Sequence, residues 1–272
     1  MGVHIEGQRV VITGASSGIG AALAVGLAER GAIVGICARR TDRLAEVLDR
    51  CRSVSDVGHR AWTVDLADPA QVDQLAVDAI AELGGVDILI NNAGIPKRRW
   101  AWELTPEVVD AVMAINYSSP VRLTLALLPQ LIDRRGAVVN VSSVAARLSP
   151  PAEAAYAASK AAITAFTEGL RVDLAVAGVE LGVHVLNPGI VDTELFSLPD
   201  NDASIADVEA VAASEVVEPV VELLRSGDFE AYVPAWFRDV TPAKFPDTTA
   251  YLAGSVAYTC DRLATLGIEV TR

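Results

Sequence analysis

The feature that most constrains this chain is a regular alternation of short apolar segments with longer stretches of helical period. Strand-like segments fall at Arg9–Thr13, Ile33–Cys37, Ala61–Val64, Val86–Ile90, Ala137–Val141, Leu181–Leu186 and, more weakly, Glu230–Val233. Between them the spacing of apolar residues predicts helices at Ile19–Arg30, Arg43–Cys51, Pro69–Leu83, Pro106–Leu131, Ala154–Ala177 and Val216–Arg225. Near-continuously apolar strands need cover on both faces, which crossover helices on a parallel sheet supply. Right-handed crossovers then give an α/β, Rossmann-type doubly wound, mainly parallel seven-stranded sheet with helices on both faces. No linker, repeat or low-complexity tract divides the chain, so residues 1–272 are expected to form a single domain with a core over about 7–233. Residues 234–272 read as a less regular C-terminal extension, expected to wrap the core or serve an interface.

Composition narrows the function. A formal charge of −13 argues against nucleic acid and anionic membrane surfaces as partners. Charges such as Glu29–Arg30 and Glu82 interrupt the apolar runs, so no run is expected to reach the roughly 18 residues of a membrane span. The N-terminal Met1–Glu6 lacks the regions of a signal peptide, and Glu6 does not suit myristoylation. Cys37, Cys51 and Cys260 are scattered and without CxxC spacing, which reads as reduced thiols with no metal site. These observations predict a cytoplasmic protein.

Two motifs carry chemistry. Thr13–Gly14–Ala15–Ser16–Ser17–Gly18–Ile19–Gly20 lies at the first strand–helix junction. Glycines there let the backbone turn tightly and approach a pyrophosphate, which sits at the positive helix N-terminus. Tyr156 and Lys160 are four residues apart in a predicted helix and so share a face, one turn apart. An ammonium beside a phenol favours the phenolate and lowers the phenol's pKa. A tyrosine tuned in this way can exchange a proton with an alcohol or carbonyl substrate.

With these motifs, Asn91–Asn92–Ala93–Gly94 after the fourth strand, Asn116 in the next helix, Ser142–Ser143 after the fifth strand and Pro188–Gly189 after the sixth, the chain resembles a single-domain short-chain dehydrogenase/reductase over about residues 7–233. The end departs from that pattern: Phe229–Pro234 and a long extension replace a glycine-rich closing strand. The resemblance implies that Tyr156 is the general acid/base. Lys160 would tune Tyr156 and hold the nicotinamide ribose, Ser143 would polarise the substrate carbonyl, and Asn116 would hold a water chain to Lys160. It implies cofactor contacts from Gly14, Ser16, Ser17, Gly18, Ile19 and Gly20, from Asn92, Ala93 and Gly94, and from Pro188, Gly189, Val191 and Thr193. Asp65 would meet the adenine, with an N-cap role for Asp65 or Asp68 as the competing reading. It also implies a homodimer or homotetramer packed through the long helices, in keeping with a helix Ala154–Ala177 that is apolar on several sides.

Cofactor choice turns on Ala38–Arg39–Arg40. NAD-specific relatives tend to place an Asp where Ala38 stands, whereas here Arg39 and Arg40 follow at once. A guanidinium grips a 2′-phosphate bidentately, and two unit charges about 4 Å apart attract by about 4 kcal/mol at an effective dielectric of ~20, before desolvation. NADP(H) is therefore expected over NAD(H), with exposed surface arginines as the alternative. The reaction implied is hydride transfer between NADP(H) and a carbonyl or alcohol substrate. The alternatives are a 3-oxoacyl-thioester reductase, an isomerase akin to nucleotide-sugar epimerases, and a non-catalytic nucleotide sensor or scaffold. Glu194–Pro199 is expected to form a lid, and Leu195, Phe196 and Leu198, facing Val144, Leu148 and Ile95, suggest an apolar pocket. Lys97–Arg98–Arg99–Trp100–Ala101–Trp102 is a basic, aromatic run in an acidic chain. It reads either as recognition of an anionic substrate handle or as a solvated loop with its tryptophans folded into the rim.

Overall fold

The computed structural model describes residues 2–196, 198 and 200–270. Its strands are β1 (Arg9–Thr13), β2 (Ile33–Ala38), β3 (Arg60–Thr63), β4 (Ile88–Asn91), β5 (Ala137–Val141), β6 (Gly182–Pro188), β7 (Val191–Asp192), β8 (Val211–Ala212) and β9 (Glu230–Val233). Apart from the small β7–β8 pair, they form one parallel sheet in the order β3-β2-β1-β4-β5-β6-β9. This is the doubly wound seven-stranded sheet that the sequence predicts, with strand ends shifted by a residue or two. The helices are α1 (Gly18–Ala28), α2 (Thr41–Val54), α3 (Pro69–Leu83), α4 (Pro106–Met113), α5 (Ser119–Asp133), α6 (Ala145–Leu148), α7 (Ala154–Val176), α8 (Val217–Ser226), α9 (Phe237–Val240) and α10 (Thr248–Leu266).

Alternation along each strand sends neighbouring side chains to opposite faces. Val10 and Ile12 of β1 pack with Leu23 and Leu27 of α1, Leu44 of α2 and Leu224 of α8. Val11 between them packs with Leu75 of α3 and Leu123 and Leu127 of α5 on the other face. Each such side chain, moved out of water, contributes roughly 1.5–3 kcal/mol. Winding runs outward from β1 through β2 to β3, then restarts at β4 on the other side of β1. The crevice between the C-terminal ends of β1 and β4 is thus the switch point at which such sheets bind ligands.

Three features depart from the sequence reading. The predicted helix Pro106–Leu131 extends to Asp133 and passes through a π-turn at Ala114–Ser118, between α4 and α5. That 28-residue segment is long and apolar enough to cross a membrane by length and composition, which corrects the expectation that no run qualifies. Leu123, Leu127 and Leu131 of its second half are fully packed in the core. Helix α7 is not buried all round, since Val172 and Val176 are 60% and 84% exposed. Finally, the extension carries the 19-residue α10, capped by Asp247, whose carboxylate accepts from the Ala250 N–H at 2.9 Å, and closed by Gly267 at φ 65°. Leu252 and Val256 of α10 are exposed, so no buried apolar stripe signals this helix.

Candidate active site

The switch-point crevice opens into a cavity of about 670 Å³. Its floor is the glycine loop, and close approach fixes that loop's sequence. Gly14 has φ +68°, and a Cβ there would stand 2.7 Å from Ala93 Cα. A Cβ on Gly20 would meet Asn92 Nδ2 at 2.5 Å, and one on Gly18 would meet Thr193 Cγ2 at 2.9 Å. Asn92 locks the loop from the neighbouring strand: its Nδ2 donates to Thr13 O at 2.9 Å, while the Asn92 and Ala93 N–H groups donate to Thr13 Oγ1 at 3.0 Å. Ser17 stands at the N-cap of α1 but makes no side-chain cap, and no acidic residue occupies the first turn. The orphan N–H groups of that turn are thus left for an external anion. The loop is a cradle that side chains would fill, and it fits a dinucleotide pyrophosphate.

The rim around this floor contains the other predicted cofactor residues. Arg39 and Arg40 both line the cavity and are exposed. Arg40 donates to Ser16 Oγ at 3.1 Å and Ser17 Oγ at 2.6 Å and pairs with Glu194 at 2.6 Å, and Arg43 pairs with the same carboxylate. Arg39 has no hydrogen-bond or ion-pair partner among the described residues. Asp65 lines the cavity, with Oδ1 accepting from the Ala67 N–H at 3.0 Å. Asp68 instead is the N-cap of α3, accepting from Ala70 N. Ile19, Pro188, Gly189, Val191 and Thr193 line the cavity as well. Gly189 is packed directly under the Phe237 ring of the C-terminal extension, a contact with no signal in the sequence.

Of the predicted catalytic residues, Ser143, Tyr156 and Lys160 line the same cavity, and Asn116 lies behind its wall. Lys160 is buried and its Nζ donates to Val141 O at 2.8 Å, 5.7 Å from the centroid of the Tyr156 ring. Ser142 is committed to α7, bonding Lys160 O at 3.0 Å and Thr164 Oγ1 at 2.7 Å. Ser143 lines the cavity, its Oγ donating to Pro188 O at 3.3 Å and accepting from the Ala145 N–H at 3.1 Å. Asn116 sits in the π-turn, a helix irregularity that often marks a functional site. Its Oδ1 accepts from Ile95 N at 2.8 Å, and its Nδ2 donates to Ile95 O and Ser159 Oγ, each at 3.0 Å. It therefore pins the Gly94–Ile95 backbone to α7. A Cβ on Gly94 would lie 3.3 Å from both Asn116 Oδ1 and Lys160 Nζ, so glycine keeps the space between them open.

The electrostatics differ from the sequence reading. Burial pushes the Tyr156 phenol above its ordinary value, the negative charge of Glu153 adds to this, and Ser143 and Arg98 oppose it. Desolvation pushes Lys160 down to about 8. Lys160 is not among the groups that lower the phenol, because its ammonium points at the Val141 carbonyl and is itself desolvated. The arrangement keeps Tyr156 protonated at neutral pH, with a largely charged Lys160 beneath it.

The substrate side is built from loops. The basic run is neither a free anion site nor a simply solvated loop. Lys97 and Arg99 both pair with Asp200. Trp100 and Trp102 stack on each other at 5.2 Å. Arg98 is only 3% exposed, and its Nε donates to Asp202 O at 2.8 Å. Asn201 Oδ1 accepts from the N–H groups of Lys97 and Arg98, so residues 97–99 staple the 200–202 segment across the cavity. Of the predicted apolar lining, Ile95, Val144, Leu148, Leu195 and Leu198 face the cavity. The Phe196 side chain, Ser197 and Pro199 lie outside the described residues. Glu153, Tyr251, Tyr258 and Trp236, which sequence reasoning did not single out, also line it.

Comparison with known proteins identifies the family and the fold. The family described as short chain dehydrogenase matches residues 8–202. Dehydrogenase/reductase SDR family member 7B of Bos taurus is 40% identical over 201 residues, covering 72% of this chain and 61% of that protein. The match thus takes in less than two thirds of that relative's own length. The 11-beta-hydroxysteroid dehydrogenase-like 4A of Arabidopsis thaliana is 32% identical over 241 residues, 86% of this chain and 79% of that protein. Among solved structures, a short-chain dehydrogenase/reductase from Burkholderia phymatum in complex with NAD superposes with a TM-score of 0.79 at 26% identity, over 99% of this chain and 98% of that one. A short-chain dehydrogenase from Burkholderia cenocepacia J2315 in complex with NADP gives 0.77 at 31% identity, over 93% and 99%.

Proposed function

This chain belongs to the short-chain dehydrogenase/reductase family, and from that premise we propose that it is an oxidoreductase reducing a carbonyl group on a largely apolar small molecule, with NADP(H) preferred over NAD(H). The observation that carries the reading is the placing of Ser143, Tyr156 and Lys160 on one wall of a cavity whose floor includes Gly14 and Gly18 of the glycine loop. A nicotinamide dinucleotide, when bound, supplies the hydride. The α1 N-terminus and the Gly14–Gly20 backbone would hold its pyrophosphate. Arg39 and Arg40 would face the adenosine ribose, and Asn92–Gly94 with Pro188–Thr193 would line the remainder.

The chain's own groups then do the proton chemistry. Ser143 Oγ donates to the substrate oxygen and stabilises the charge that grows on it. Tyr156 Oη gives up its proton to that oxygen. A phenol held protonated by burial suits the direction in which it acts as an acid, which is carbonyl reduction. The Lys160 ammonium, held on the Val141 carbonyl with its Nζ 5.7 Å from the Tyr156 ring centroid, would attract the phenolate left behind through space. Asn116 acts through the backbone it pins at Ile95.

Cofactor preference rests on Arg39, the cavity-lining guanidinium with no partner of its own among the described residues, since Arg40 is already engaged by Ser16, Ser17 and Glu194. The Arg40–Glu194 pair is about 40% exposed on both sides (44% and 39%), so it holds by no more than about 1 kcal/mol and yields readily to a phosphate. The test is oxidation of NADPH and NADH in parallel over a panel of apolar ketones, aldehydes, quinones and 3-oxoacyl thioesters, with Arg39→Ala alongside. Arg39→Ala should raise the KM for NADPH about tenfold or more and leave that for NADH within about twofold. Equal losses with both cofactors would remove the NADP(H) assignment.

A further inference from the structure

Beyond Tyr156 the cavity adjoins a second chamber of about 450 Å³. Loop 150–153, the 202–206 segment, α10 and residues 268–270 wall it in. Arg98, Glu153, Tyr251 and Tyr258 line both chambers, so Glu153 stands in the passage between the reacting groups and the α10 side. It lies three residues before Tyr156 at the start of α7, on the face of the helix that Tyr156 also presents. Its carboxyl makes no hydrogen bond or ion pair with any described residue.

Asp202, which lines the α10 chamber, shares this isolation among the described residues, its Oδ2 being buried without a hydrogen-bond partner. Asn116, Ser142 and Lys160 all have their polar atoms engaged by the protein. Glu153 is partly buried, and removing a carboxyl from water without a partner is costly, which pushes it up to about 7. Arg98 is the one charge that opposes the shift, but its Nε is committed to the Asp202 carbonyl, so it supports the carboxylate through space rather than by capping it. A donor for Glu153 has to arrive with the ligand. At Glu153 itself the guanidinium works against a cationic ligand group, since the other carboxylates, Glu103, Asp202 and Glu269, line only the α10 chamber, and the surrounding Leu148, Pro150, Tyr251 and Tyr258 surfaces favour an apolar body. The donor that meets both conditions is a neutral hydroxyl.

Resting on the reductase reading above, we propose that Glu153 is a specificity-determining residue that selects apolar carbonyl substrates bearing a second, neutral hydroxyl group, which it receives at the mouth of the α10 chamber. A hydrogen bond to a carboxylate contributes a discrimination of about tenfold to a hundredfold against the same molecule without its donor. The probes are trans-decalone, its ring-hydroxylated isomers and an amine-bearing analogue. Their binding to the protein loaded with NADP⁺ is measured by calorimetry, and their turnover by NADPH oxidation.

Wild-type protein should bind at least one hydroxydecalone about tenfold or more tighter than decalone, and the amine no tighter than decalone. Glu153→Leu should bring the hydroxyl-to-parent ratio close to one. The isosteric Glu153→Gln, which keeps the shape but not the charge, should bring it below about tenfold. An unchanged ratio in Glu153→Leu and Glu153→Gln, tighter binding of the amine, or equal or undetectable binding of decalone and all its hydroxylated isomers by wild type would overturn the proposal. A Glu153-dependent binding preference without turnover of any probe would support the subsite and count against the reductase reading. Turnover without the preference would do the reverse.

Discussion

The two walls of the crevice are built on different principles. On the cofactor wall, residues 13–20 and 91–95 are strand ends and a helix start whose polar side chains bond the chain's own backbone. Thr13 Oγ1 takes two N–H groups, Asn92 holds Thr13 O, and Asn116 holds both backbone atoms of Ile95. On the substrate wall, residues 95–102, 148–153, 194–196, 200–206 and 234–270 are loops, short turns of helix and an appended helix. There charges pair with one another across loops, as Asp200 does with Lys97 and Arg99, and the carboxyls of Glu153 and Asp202 keep oxygens without a partner among the described residues. A wall fixed by backbone geometry accepts one shape, whereas a wall of loops can be rebuilt without disturbing the sheet. The first suits a common cofactor and the second a particular substrate. Tyr156 and Ser143 stand at the seam.

The largest expected effect lies at that seam. Tyr156→Phe removes the proton donor and leaves the ring, the glycine cradle and Lys160 in place. Carbonyl reduction should fall by roughly 10²–10⁴-fold, while NADPH affinity, read by fluorescence titration, stays within about twofold. A matching loss of cofactor affinity would show that the two walls are one binding unit and that the division drawn here is wrong.

The cofactor wall is sharpened by a pair of glycines with the same backbone angle. Gly14 and Gly178 both have φ +68°, but a Cβ on Gly14 meets Ala93 while one on Gly178 meets nothing within 4 Å. Alanine in the left-handed region costs about 1–2 kcal/mol at either position. The collision with a backbone atom should add to that only at Gly14. Gly14→Ala is expected to lower Tm by several degrees more than Gly178→Ala and to weaken NADPH binding as well. Equal Tm losses would mean that β1 and β4 are less tightly locked than the distances imply.

The same contrast governs what can be read from the sequence. The strands were legible because burial on both faces forces them to be apolar, and the glycine loop because its backbone tolerates few other residues. Tyr156 and Lys160 were legible because a helix fixes the meaning of a four-residue spacing. The phenol's pKa was not, since it depends on the direction of Lys160 Nζ, on burial and on Glu153, none of which spacing reveals. Arg98 sits in a run of like charges that reads as solvated, yet the fold turns it inward onto Asp202 O. Glu153 carries no motif, and its importance comes only from the chamber that α10 closes. The α10 helix itself was missed because Thr259 is its only buried residue, so no period marks a core-facing side.

The smallest effect tests whether α10 is a wall or merely an attachment. The Tyr251 hydroxyl donates to Leu148 O at 2.8 Å, joining α10 to α6 at the edge of the substrate cavity. Tyr251→Phe removes that one partly buried bond, with an expected loss of about 0.5–1.5 kcal/mol. Because α10 exposes Leu252, Val256 and Leu266 rather than burying them, this loss should be local. Amide exchange across Thr248–Leu266 should quicken by about two- to tenfold, with the protection of β1 and β4 unchanged and the KM for an apolar carbonyl substrate raised by a similar factor. Exchange that quickened equally in β1 and β4 would show α10 to be part of the cooperative core. Exchange confined to α10 with KM unmoved would show that the helix covers the chamber without shaping what binds there.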